Sequence, residues 1–414
     1  MIAKLRSTYH EYPRQFWLLT SAALIDLLGG FLIFPFFSLF FTQKFDVSLA
    51  QVGLIYAIWA ITGLIGQTLG GALADRAGRK NLVIFGLLFS ALGSLGLALV
   101  ENFTLVYIVA ALGGLFSQMG GPARMAMVAD ILPEEQYADG YGILRVVANL
   151  AFAVGPALGG LLAGVSFVLL FFVDAVTSVL AAIFVVRFLK ETLPAASAEI
   201  PSRQSAGSVF MGFMIVLKDV KLIMLIFLGS VVGVAYFQWY FALPVFMRDV
   251  HGMPPQFYGS MMSMAGLLVV LFQLPLTRKL RSYPPMFLMG AGSLLFLLGL
   301  SMFGFIAAYA LFLTASAIIT FGEMIFFPTQ QAIVANLAPE EMRGRYMAVA
   351  GLGFALPNIL GPTLGGLLLD HGDPRNLWYI AGLVCLVGAA GYASLKPYFP
   401  GSTAPDTVLT STAD

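Results

Sequence analysis

Two carboxyl groups stand where a carboxyl group is costly. Asp26 lies about nine residues into a long apolar run, roughly 13 Å along a helix rising 1.5 Å per residue. Glu323 lies deep in another such run and is followed by Met-Ile-Phe-Phe-Pro328. A charge at membrane depth is expensive, so each is a functional candidate by default. A carboxyl that takes a proton when facing one side and a cation when facing the other couples the two fluxes. That is antiport chemistry in minimal form. The competing reading is a structural hydrogen bond within a helix bundle. Asp174, in Phe-Phe-Val-Asp-Ala-Val-Thr-Ser, is a weaker candidate that could simply bond Thr177 or Ser178. Arg145 could be a counter-ion to an embedded acid, or could snorkel to the membrane surface.

Other residues offer surfaces rather than chemistry. Tyr236, Gln238, Trp239 and Tyr240 present aromatic faces with polar edges, suited to lipophilic cations. Phe34 adds apolar wall. Packing against lipid or neighbouring helices is the ordinary role of such residues. His10, His251 and His371 fall in tail or loop segments, so no metal site is expected. The single cysteine, Cys385, has no partner for a disulfide. No cofactor is implied. An enzyme would need a nucleophile with its base, or paired acid and base groups, and none is evident.

The elements that position these residues follow from composition. Of 414 residues, 59% are hydrophobic and only 10% are charged, with a mean hydropathy of +0.90. Soluble domains carry roughly 25% charge, and a soluble fold could not hide so much apolar surface. A net charge of +1 gives no reason to expect nucleic acid. A span needs about 20 apolar residues. Twelve such runs lie near 16–41, 50–73, 81–100, 104–129, 142–164, 167–189, 221–247, 257–277, 285–306, 309–335, 346–369 and 377–396. They are continuously apolar rather than alternating, which predicts helices and not a barrel.

With a cytoplasmic N-terminus, seventeen Lys and Arg side chains fall inside and three, Lys44, Arg248 and Arg375, fall outside. That asymmetry predicts that both termini are cytoplasmic. No removable signal peptide is evident. The expected organisation is a six-helix bundle over 1–189, a linker over 190–220, a second six-helix bundle over 221–398, and a disordered cytoplasmic tail over 399–414.

An internal repeat at an offset of 206 residues relates the two halves. Pro122, Pro133-Glu134-Glu135 and Gly155-Pro156-Ala-Leu-Gly159-Gly160 recur as Pro328, Pro339-Glu340-Glu341 and Gly361-Pro362-Thr-Leu-Gly365-Gly366. Across 122–164 and 328–370, fifteen of 43 positions are identical without a gap. Each half has an even number of spans, so the copies are parallel. This predicts a substrate site between halves near the midplane, exposed alternately to each side.

The segment after the second run reads Gly71-Ala-Leu-Ala-Asp75-Arg76-Ala-Gly78-Arg79-Lys80. A positive-inside loop would explain its basic residues but not Asp75 among glycines. The segment resembles the signature loop of the major facilitator superfamily, and the twelve spans and the repeat extend that resemblance over the whole chain. The resemblance implies an all-α integral membrane fold of two pseudo-symmetric bundles. It also implies a latch in which Asp75 meets the end of helix 11 and Arg79 pairs with an acid at the end of helix 4, here Asp130. The second-half loop, Thr277 to Pro285, has no acid, so one latch is expected. Gly155-Pro156-x-x-Gly159-Gly160 is similar to the helix 5 motif of drug:proton antiporters in that superfamily. For these residues, helix packing is the expected role. Many relatives carry an Arg in helix 4. The region Val109–Gly121 has none, and Arg124 and Asp130 beyond it are assigned to loop pairing and gating.

The expectation is therefore a transporter rather than an enzyme, in a plasma membrane (a bacterial inner membrane). It would export small lipophilic or cationic compounds against protons, as a monomer in contact with lipid. Export of a lipid, siderophore or sugar, or uncoupled uniport, remain as alternatives. A polytopic enzyme or a receptor is the reading from a different class.

Overall fold

The computed structural model describes residues 11–193, 214–339 and 342–399. Among them, twelve helices are long and apolar enough to cross a membrane. They are α1 (Arg14–Phe45), α2 (Leu49–Ala77), α3 (Arg79–Leu99), α4 (Phe103–Ile131), α5 (Glu134–Ala163) and α6 (Phe167–Phe188). The remainder are α7 (Val220–Phe241), α8 (Pro255–Leu280), α9 (Pro285–Phe303), α10 (Tyr309–Leu337), α11 (Arg343–Asp370) and α12 (Asn376–Tyr398). The chain is an integral membrane protein. Most of the 190–220 linker and nearly all of the tail lie outside the described residues.

The helix surfaces are those of a protein whose solvent is hydrocarbon. Leu92, Ile108, Leu161 and Ile183 are more than half exposed, while small and polar residues such as Ala181, Ser178 and Gly66 face inward. A helix hydrogen-bonds its own backbone, which lipid cannot do. Breaks have local causes. Pro35 cannot donate a backbone N–H, and α1 tightens to a 3-10 turn at Phe34–Phe36 before continuing from Phe37. In α4 the helix is interrupted at Gln118 and Met119, then resumes at Gly120. The start of α2 is fixed by a capping box, in which the Ser48 hydroxyl accepts from the Gln51 backbone N–H and the Gln51 side chain accepts from the Ser48 N–H.

One run differs from its expectation. The seventh apolar run extends to residue 247, but α7 ends at Phe241 and a separate short helix covers Leu243–His251. Pro244 stands in the first turn of that short helix, where a missing N–H costs nothing. Leu243 to Met247 are all buried, so hydropathy alone could not separate the two helices.

The chain divides into two compact units. One comprises the described residues of Met1–Arg203 with Phe237–Val270 and Asn358–Asn376. Within it α1 packs on α5 and α6, α3 on α4 and α6, and α2 on α4. The other comprises the described residues of Gln204–Tyr236, Leu271–Pro357 and Leu377–Asp414, and within it α9 packs along α10.

Candidate functional site

In the first unit, four helices bring one charged cluster together. Asp26 on α1 pairs with Arg124 on α4 at 3.4 Å. The Ser178 hydroxyl on α6 donates to the other Asp26 oxygen at 3.3 Å. Four residues earlier on α6, Asp174 accepts from the Ser94 hydroxyl of α3. The positions follow from helical spacing. Asp26 and Gly29 are three apart on α1, and Asp174 and Ser178 four apart on α6, so each pair shares a face. Gly29 makes the approach feasible: a Cβ there would meet the Thr177 hydroxyl and lie 2.6 Å from the Asp174 carboxylate. Asp174 is close enough to Asp26 to feel its charge.

The members differ in access. Asp174 is 5% exposed. The Asp26 and Arg124 side chains are 18% and 23% exposed, so they can meet something beyond the protein. The loop assignment of Arg124 does not describe its position, because its guanidinium turns to Asp26 rather than to the loop. Arg145 is exposed and makes no ion pair among the described residues.

In the second unit, Glu323 on α10 is partly buried and hydrogen-bonds the Tyr236 hydroxyl of α7. The Tyr236 ring is held between Phe296 and Phe327, with centroids at 5.0 and 5.1 Å. The Gln273 amide donates to the Met324 carbonyl at 3.1 Å, fixing α8 beside the Glu323 turn.

The remaining aromatic candidates lie in the first unit, where Trp239 meets Tyr240 at 5.0 Å between centroids. Phe34 meets Tyr240 at 5.8 Å between centroids, and Phe152 flanks Tyr240 at 6.3 Å. Trp239 is fully buried, and Tyr258 donates to its carbonyl. Gln238 is buried and donates to the Gly361 carbonyl at 2.8 Å. On α5, Gly155 and Gly159 abut α1 at Phe31 and Leu32, and Gly160 abuts α8 at Gln256 and Gly259. Next to Pro156, the Ala157 backbone N–H donates to Ser263 of α8.

The segment from Gly71 to Lys80, expected as a loop, is the last turns of α2, a single turning residue at Gly78, and the start of α3. Arg79 pairs with Asp130 at the end of α4, donates to the Ala126 carbonyl at 3.1 Å, and lies 3.5 Å from Asp75. Gly71 lies beside Pro122, and Arg76 is exposed. Gly78 turns the chain with φ of +90°, a conformation other residues rarely adopt. Lys80 donates to the carbonyls of Val186 and Leu189, satisfying the end of α6.

Two functional-looking residues escaped the sequence reading. Glu191, just after α6, accepts from the backbone N–H groups of Arg79 and Lys80, which open α3, and of Thr192 and Leu193. Burial by itself would push its carboxyl up, but the four backbone donors outweigh that and hold it below the ordinary value. Thr192 in turn donates to Asp130 at 2.7 Å. At the opposite end of the same unit, Asp370 accepts from the backbone N–H groups of Leu49 and Ala50, beside a cavity of about 250 Å³ that Thr42, Asp46, Arg248 and Asp249 help to line. One signal was present in the repeat, whose final position pairs Gly164 with Asp370, a charge with no counterpart in the first copy.

Comparison with known proteins agrees with the fold. The sequence profile of the Major Facilitator Superfamily matches residues 19–362 and 288–408. The chain is similar to a protein of Planococcus maritimus described as a Na(+), Li(+), K(+)/H(+) antiporter, with 26% identity over 84% of this chain and 86% of the relative. It is similar to Multidrug resistance protein 2 of Bacillus subtilis, with 27% identity over 93% and 96%. Among solved structures, a nucleoside transporter matches with a TM-score of 0.79 at 14% identity, over 92% of this chain and 100% of that one. A peptide transporter of the POT family matches with a TM-score of 0.77 at 16% identity, over 94% and 95%. At such identities the structural likeness speaks for the fold alone. The profile covers most of the chain, and the protein belongs to the Major Facilitator Superfamily of membrane transporters.

Proposed function

We propose that the protein is a proton-coupled exporter of small lipophilic or cationic compounds, working by alternating access. The observation that carries this reading is the Asp26–Arg124 pair inside the membrane-spanning helices, partly exposed and therefore open to exchange. An acid that can be ionised against Arg124, or neutralised by a proton, changes the charge of the site without moving the backbone. Glu323, tied to Tyr236, is a second acid with the same capacity in the other unit. Two relatives named for multidrug resistance and for cation/proton antiport support an exchange of this kind. The relative named as a cation/proton antiporter favours a second reading, in which the cargo is a monovalent metal cation.

In this reading the chain sits in a bacterial plasma membrane with both termini cytoplasmic and acts as a single copy. Residues 1–189 and 221–398 are the two halves that alternate. Arg79 with Asp130, and the turn at Gly78, latch one conformation. Phe34 and Tyr240 contribute to the cargo surface. The experiment is dye movement in vesicles holding the purified protein. Uphill movement is expected only with an imposed pH difference, and Asp26→Asn or Glu323→Gln removes it. Full proton-dependent transport in both variants overturns the reading.

A further inference from the structure

Arg145 stands eleven residues into α5, roughly 16 Å along the helix, with no answering charge among the described residues. It is exposed, and neither it nor Asn149, one turn further on, makes an ion pair or a side-chain hydrogen bond among the described residues. A cation at such depth is costly, and the fold does not require it. The repeat puts Gly351 at the same position of α11, where a Cβ would meet nothing within 4 Å. Nor does the membrane surface account for it. In α11 the basic residues that suit the surface are Arg343 and Arg345, in its first turn. Their counterparts in α5 are Tyr137 and Asp139, and the cation instead sits six residues beyond Asp139, roughly 9 Å farther into the span.

Arg145, Asn149, Phe152, Pro156 and Gly160 recur at helical spacing and share one face of α5. Toward Ala163 that face is covered. Phe152 meets Phe31 of α1 at 5.3 Å and Tyr240 of α7 at 6.3 Å between centroids. Pro156 and Gly160 lie against Gly259 of α8. Toward Glu134 the same face is open: Arg145 is exposed, Asn149 partly so, and Gly142 beside them has empty space where a Cβ would stand. The cation therefore lies on the open part of a wall whose closed end is aromatic. Arg145 and Phe152 are seven residues, or about 10 Å, apart along the helix axis.

We propose that Arg145, with Asn149, is an anion subsite of the cargo surface, and that the protein takes aromatic carboxylates as well as neutral and cationic compounds. The guanidinium is a planar fork that fits a carboxylate with two parallel N–H donors. The Asn149 amide adds a donor one turn away. Phe152, with Phe31 and Tyr240 around it, receives the ring of the same molecule. The spacing suits a rigid anion whose ring and carboxylate together span about 10 Å. Asp26 and Arg124 answer each other's charge, which leaves Arg145 to the ligand. The subsite rests on the transporter reading above, which makes the open face cargo-facing, and widens its cargo by one charge class.

Calorimetric titration of the purified full-length protein in neutral detergent tests this with biphenyl-4-carboxylate and its uncharged isostere biphenyl-4-carboxamide. Wild type is expected to bind the carboxylate about 10- to 100-fold more tightly, the range of a charge-assisted pair. Arg145→Gln removes the preference, and Arg145→Lys, a point charge without the fork, restores part of it. Phe152→Ala weakens both ligands alike and leaves the preference in place. Equal affinity for both ligands in wild type, or a preference that survives Arg145→Gln, overturns the subsite. A lipid phosphate is the other source of an anion at this depth. In nanodiscs of phosphatidylglycerol, a preference kept at full size assigns Arg145 to cargo, and one that disappears assigns it to lipid and overturns the proposal. Loss of the preference in a wild-type protein that still moves ethidium with protons defeats the inference alone. An intact preference in a protein whose dye transport never depends on protons defeats the proposed function and not the subsite.

Discussion

Asp370, the last residue of α11, caps the first turn of α2. Its two oxygens accept from the backbone N–H of Leu49 at 3.1 Å and of Ala50 at 2.9 Å. These N–H groups have no partner within their own helix, and a carboxylate also suits the positive end of the helix dipole. A cap of this kind is worth about 0.5–2 kcal/mol. Asp370→Ala is expected to lower the thermal midpoint and to shift the protein toward conformers in which α11 and α2 separate. A Val47→Cys reporter beside the cavity should then react faster with a water-soluble thiol reagent, by about 2- to 30-fold for the same free energy. An unchanged labelling rate would mean that the cap does not hold this end closed.

Glu191 gives the opposite end a pH dependence whose sign can be worked out. Its carboxyl is held below the ordinary glutamate value of 4.5 by four backbone donors working against burial. A depressed folded value means that the ionised form stabilises the fold. That stability is fully present above the ordinary value and is lost as pH falls through the lower one. Thermal midpoints measured from neutral to acid pH should therefore differ between wild type and Glu191→Gln at neutral pH and converge in acid. Parallel curves would show that the capping of Arg79 and Lys80 is not what Glu191 contributes.

Arg124 and Asp26 should behave as a unit. Removing one partner strands a charge in the membrane, and for fully buried pairs this costs about 3–5 kcal/mol. Partial exposure of both side chains puts this pair toward the low end. Arg124→Gln alone should destabilise the protein more than Arg124→Gln combined with Asp26→Asn. Calorimetric or fluorescence melting of the three variants closes the cycle. Additive losses would mean that the 3.4 Å contact carries no coupling.

Tyr236 separates chemistry from packing. Tyr236→Phe keeps the ring against Phe296 and Phe327 but removes the hydroxyl from Glu323. The stability cost should be that of one hydrogen bond, about 0.5–1.5 kcal/mol. Transport should change in its pH profile more than in its maximal rate. A profile identical to wild type would leave Tyr236 a packing residue.

How far the sequence carries depends on the physics behind each feature. The bilayer forces long, continuously apolar helices, so each of the twelve runs corresponds to one spanning helix, while the breaks at Phe34–Phe36 and Gln118–Met119 and the junction after Phe241 leave no mark in hydropathy. Asp26, Asp174 and Glu323 were visible because charge is conspicuous in hydrocarbon. Their partners were not. Arg124 lies 98 residues from Asp26 in the chain, Ser94 lies 80 from Asp174, and a serine in a membrane helix is unremarkable by itself. Arg124 misleads for a related reason: near the inner end of α4, its position suggests loop pairing until α1 supplies an acid. Glu191 looked like ordinary linker charge, because an interaction with backbone N–H groups leaves no residue-type signature at the other end.

The most direct measurement is proton release on cargo addition. Purified protein is reconstituted in weakly buffered vesicles with a pH indicator inside, and ethidium is driven outward or inward without an imposed pH difference. The account predicts an opposing proton flux in wild type that Asp26→Asn abolishes. Ethidium movement with no proton flux in wild type, or an undiminished flux in Asp26→Asn, would contradict it.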